Sequence, residues 1–140
     1  MSWNAGMKCM IIYENSFIKL DYNPATDVLL VDMPRIDTMI MPEVRSALAI
    51  IAEHVRNYDV KRLLVDARQT KVEVNEESYT ALISEFSQSL MTTRLQKVAR
   101  IVSASEVREK AVKKVYERDG LPLQFKNFEE MAPAIEWLTA

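Results

Sequence analysis

The chain has 140 residues, of which 49% are apolar and 27% charged, and its formal charge is −2. That length suits one domain with its own core, and the near-neutral balance gives no overall pull toward nucleic acid or an acidic membrane. The scarcities exclude more: with Gly6 and Gly120 the only glycines, His54 the only histidine and Cys9 the only cysteine, there is no phosphate-binding loop, no dinucleotide fingerprint, no Cys/His zinc site and no intramolecular disulfide.

No cofactor or metal is therefore expected. A lone cysteine fits a reducing cytosol, and no apolar run is long enough for a signal peptide or a bilayer span. The expectation is a cytoplasmic protein with no membrane insertion and no nucleic-acid partner.

Residues 1–9 read as a flexible lead-in to a single domain over 10–140. Two β-type runs, 17–22 and 28–33, flank Asn23-Pro24-Ala25-Thr26-Asp27, whose turn chemistry predicts a hairpin. Pro42 stands where a first helical turn tolerates proline, and Val44, Ala47, Leu48, Ile51 and Val55 follow at helical spacing. The stretch RLLVD, 62–66, reads as a strand. A second helix starts near Asn75, with Glu76 and Glu77 in its first turn and Tyr79, Leu82, Ile83, Phe86 and Leu90 as its apolar stripe.

Residues 98–102 read as the next strand. Ser103 and Glu106 have capping-box spacing for a third helix that stops at Gly120. Residues 121–125 alternate as a last strand. Phe128, Met131, Ile135 and Leu138 mark a closing helix, in which Pro133 should cause a kink or delay the regular part by a turn.

Strands alternating with helices imply parallel pairing through right-handed crossovers. The fold class is α/β, four βα units with an antiparallel N-terminal strand and a mixed sheet of about five strands. Polar residues in the strands suggest that one sheet face is incompletely covered by helices. Simple alternation puts Leu64, Val98 and Val102 on the faces of Arg62 and Arg100, an apolar strip bordered by long polar side chains, to which the last strand adds Gln124 and Lys126. That strip is a candidate homodimer face.

The hairpin, the successive βα units, the LLVDAR strand and the closing FEEMAPAIEWL resemble the SpoIIAA-like family of the STAS/CRAL-TRIO type over residues 10–139. The resemblance implies that the four βα units wind as one βα superhelix, a single STAS-like domain acting as a regulatory or protein-interaction module. In that family a phosphorylatable serine opens the helix after the strand matching 62–66. Here the segment reads Val74-Asn75-Glu76-Glu77-Ser78, with no serine at the matching position, so the phosphoacceptor is not carried over.

Among candidate site residues, Asp66 and Arg68 fall at the carboxyl end of a central strand, where open α/β sheets place ligand crevices. No nucleophile or histidine stands nearby in sequence, which favours an ion pair or backbone contact that shapes the strand exit. Ser103 and Ser105 could hold an anion at a helix N-terminus, although capping already accounts for them. His54 reads as a half-buried structural residue and Cys9 as an inert thiol. The basic residues of the third helix, Arg108, Lys110, Lys113, Lys114 and Arg118, interleave with acids as on a solvated face. Met33, Met39 and Met41 flank a loop that would fill core or line a pocket.

Three functional classes survive, in order: a non-enzymatic interaction module that self-associates, a binder of a small apolar or anionic ligand at the strand ends, and an enzyme with an Asp/Glu/Lys site.

Overall fold

The computed structural model describes residues 10–33, 40–66, 68, 76–102, 106–119 and 123–140. Six strands and four helices are found among them: β1 (Met10–Glu14), β2 (Lys19–Asn23), β3 (Val28–Asp32), α1 (Met41–Asn57), β4 (Arg62–Asp66), α2 (Glu76–Met91), β5 (Lys97–Ile101), α3 (Glu106–Asp119), β6 (Gln124–Phe128) and α4 (Met131–Thr139). The strands lie side by side in chain order. β1, β2 and β3 pair antiparallel, and β3 through β6 pair parallel.

That order has a simple consequence. Successive right-handed crossovers stepping in one direction across a sheet return to the same face, so α1, α2 and α3 form one layer, packed helix against helix. Beneath them lies the larger core, including Leu20, Leu29, Ile51, Leu63, Leu82, Val98 and Val115. α4 follows the last strand, needs no further crossover, and packs on β4, β5 and β6 from the opposite face. There Ala134 and Leu138 join Val28, Leu30, Leu64, Ala99 and Ile101 in a second cluster. Ala99, completely buried, leaves room for this helix to approach the strands.

With so few glycines, aspartates take the left-handed backbone positions, as Asx residues tolerate best. Asp27 (φ 55°) closes the β2–β3 turn and Asp59 (φ 54°) follows α1. The N–H of Val60 donates to the Val55 carbonyl at 3.0 Å and that of Asp59 to Arg56 at 3.3 Å, the paired C-terminal bonds that usually require glycine between them. At the other end of α1, Glu43 Oε1 accepts the Ile40 N–H at 3.0 Å, and Pro42 sits in the first turn, where a missing N–H loses no helical bond. Pro133 is accommodated the same way, because α4 begins only at Met131.

Four expectations need correction. The sheet has six strands rather than about five, because 10–14 forms an edge strand antiparallel to β2. The last strand is Gln124–Phe128 rather than 121–125. β6 pairs on one side only, so it is an edge strand that tolerates the polar residues Gln124, Lys126 and Asn127. Residues 121 and 122 lie outside the described residues. Third, both faces of β4 and β5 are covered by helices.

Last, the face assignment fails. Leu64 stands in register with Ala99 and Leu63 with Val98. Arg62 and Leu64 therefore face α4, whereas Val98 and Arg100 face α1–α3, and Val102 lies beyond the end of β5. Alternation fixes parity within one strand, but the offset between strands comes from their pairing. The strip of Arg62, Leu64, Val98, Arg100 and Val102 is thus divided between two faces. Leu64 (0% exposed) and Val98 (5%) belong to two different cores.

Candidate functional site

The strand exits carry a network of charges. Asp66 accepts Arg68 Nε at 2.9 Å through Oδ1 and Arg68 Nη2 at 2.8 Å through Oδ2, and its Oδ1 also takes the Arg68 backbone N–H at 3.3 Å. This two-pronged pair closes the end of β4. The LLVDAR stretch therefore holds its carboxylate against its own arginine. One strand over, Asp32 is in register with Asp66 and lies 3.8 Å from Lys19 Nζ. Partial burial, with Asp66 and Asp21 adding like charge and Lys19 and Arg68 opposing, holds the Asp32 carboxyl above the ordinary carboxylate range. Met33 N–H donates to the Asp66 carbonyl at 3.1 Å, tying the two exits together. Ser103 and Ser105 lie outside the described residues.

At the opposite pole an aromatic group surrounds the end of α1. His54 Nδ1 is 2.8 Å from the Ile50 carbonyl. A carbonyl can only accept, so that nitrogen carries the hydrogen. The ring lies near-parallel to Tyr58 and tilts against Tyr13, which engages His54 in packing. Tyr22 donates to Asp27 Oδ1 at 2.8 Å. Burial above all, then this bond and the charges of Asp27 and Asp59, push its phenol up to about 12. Met33 and Met41 pack against the main core, and Met39 lies outside the described residues. On α3, Lys113 pairs with Glu117 at 3.9 Å.

The feature that sequence reasoning missed lies under the helical layer. A cavity of about 90 Å³ separates α2 and α3 from the sheet. Its wall includes Ile83, Phe86 and Leu90 of α2, Val112 and Val115 of α3, and Val98 and Phe125 of the strands. Ser87 and Arg100 are polar residues on that wall, both buried. Arg100 Nη1 and Nη2 donate to Glu109 Oε1 and Oε2 of α3 at 2.8 and 3.0 Å, and Nη1 lies 3.5 Å from Asn127 Oδ1.

Arg100 thus pairs from the middle of β5 with the helix that follows, instead of bordering an open surface. The signal was present in the sequence, an arginine inside an otherwise apolar strand followed nine residues later by a glutamate. Which partner it takes depends on how α3 folds back. On the same wall Tyr116 and Phe125 close on each other with ring centroids 5.0 Å apart.

Among the described residues no cluster of three or more His, Cys, Asp or Glu side chains is placed to hold a metal, and no helix is long and apolar enough to cross a membrane. No protein-family model and no curated protein matches the chain. A solved structure is similar along nearly the full length: an uncharacterized protein of the DUF3478 family with a SpoIIAA-like fold from Shewanella loihica PV-4, 14% identical, with a TM-score of 0.47 over 94% of this chain and 93% of that one.

Proposed function

We propose that this protein is a non-enzymatic binding module that holds a small, largely apolar ligand between α2, α3 and the sheet. The observation that carries the reading is the cavity of about 90 Å³ walled by aliphatic and aromatic side chains. Interiors are packed to crystal-like density, and a void forfeits dispersion contacts on every side. An apolar void of roughly 150 Å³ stays dry and takes up benzene or xenon, so a smaller one suits a chain of a few carbons. The cavity supports a ligand under the helices over one at the strand ends, where the charges of Asp66 and Arg68 satisfy each other.

The test replaces the Ser87 hydroxyl with two methyl groups. Ser87→Val should keep or raise the melting temperature, by up to about 1 kcal/mol of added apolar burial. It should also abolish the stabilisation that cyclopentane or xenon gives the wild type. Equal stabilisation of both proteins would remove the reading.

Self-association is a second reading, supported by a different surface from the one expected. β1 is an edge strand with no described strand on its outer side, and Met10 and Ile11 are 49% and 57% exposed. A second copy adding its own β1 would continue the sheet across a twofold axis. Light scattering that gives the mass of one chain at micromolar concentration would remove it.

A further inference from the structure

We infer that the cavity selects uncharged ligands bearing a hydrogen-bond acceptor over carboxylates of the same length, an inference that rests on the binding reading above. A buried arginine on the wall of an apolar pocket would ordinarily recruit an anion. Here Arg100 is 9% exposed, and its charge is already met by Glu109, which takes one bond from each terminal nitrogen at 2.8 and 3.0 Å. That two-pronged geometry is the strongest protein pairing available to a guanidinium.

An incoming carboxylate has two routes, and both are unfavourable. Beside the intact pair it meets the Glu109 carboxylate at short range in a poorly screened interior, where like charges repel strongly. By displacing Glu109 it breaks the two charge-assisted bonds of a largely buried pair.

A ketone, ester or amide meets neither obstacle. A guanidinium has five N–H groups. Glu109 occupies two, and the 3.5 Å approach to Asn127 is a long and weak use of a third. Nε has no acceptor among the described residues, so Arg100 retains donor capacity that a neutral oxygen could accept without disturbing the pair. The apolar chain of such a ligand would lie against Ile83, Leu90, Val112 and Val115. Glu109 acts here as a specificity residue, through the charge it cancels.

The experiment compares three probes on the full chain at pH 7 by NMR titration: xenon for the void itself, 2-pentanone for a neutral acceptor, and pentanoate for its anionic counterpart. The expected result is xenon occupancy with 2-pentanone binding at least tenfold tighter than pentanoate. In Glu109→Gln, where Arg100 keeps a net charge, the preference should shrink or reverse. Xenon occupancy with pentanoate binding as tightly as 2-pentanone in the wild type would overturn the inference while leaving the cavity reading intact. No occupancy by xenon or either probe would overturn the cavity reading itself. The wild-type comparison decides the matter even if Glu109→Gln does not fold.

Discussion

Val98→Glu separates the two possible positions of the central strands more sharply than any other single change. On an open sheet face it would place a charge beside Arg100 and dissociate a dimer without harming the fold. In the observed register Val98 is 5% exposed beside Leu63 and Phe125, beneath the helical layer. Removing the buried valine forfeits about 1.5–3 kcal/mol of apolar burial. A glutamate carboxylate there has no arginine to meet, because Arg100 is held by Glu109, and an unpaired buried charge costs a further 3–5 kcal/mol or so. The combined loss of about 4.5–8 kcal/mol is a large fraction of the roughly 5–15 kcal/mol that holds a domain of this size.

Urea unfolding followed by circular dichroism should show the midpoint falling by about 2 M or more, or no folded baseline at all. Val98→Ala, which only opens space, should lose about 2 kcal/mol. A Val98→Glu protein that keeps a wild-type midpoint would refute the register, and a simultaneous drop from dimer to monomer would restore the open-face arrangement.

Asp66→Ala should lower stability by only about 1 kcal/mol, because Arg68 is well exposed and exposed pairs contribute little. In the same variant the Asp32 carboxyl should titrate at lower pH, since Asp66 raises it across the strand pair, and two-dimensional NMR of the aspartates would reveal an unchanged value if the exits are not coupled. Tyr22→Phe tests the other pole. With its folded pKa raised from 10.0 to about 12, Tyr22 favours the folded state fully below pH 10, and that contribution disappears as pH climbs from 10 to 12. Wild-type stability should therefore decline through this window relative to Tyr22→Phe, while at neutral pH the variant is weaker by about 1 kcal/mol for the lost bond to Asp27. Parallel pH profiles of the two proteins would contradict the assignment.

Much of this architecture is legible from local pattern. The strand 62–66 has the bounds its pattern predicts, and of the α1 stripe Val44, Ala47, Ile51 and Val55 are buried and Leu48 partly so. The alternation of strands and helices after the hairpin implies parallel pairing through right-handed crossovers, while the sequential order of the strands comes from the tertiary structure. The local properties depend on neighbours within a few residues, so the order of residues determines them. The MIIYE strand did not announce itself, since Met10 and Ile11 remain exposed and only pairing with β2 makes it regular.

The division of Leu64 and Val98 between two cores depended on the register of β4 against β5, a property of two strands together that alternation in either one leaves open. The partnership of Arg100 with Glu109 required α3 to return over β5. The cavity is set furthest from sequence, because a void is what remains after side chains from α1, α2, α3 and three strands have found their places, and no residue encodes it alone.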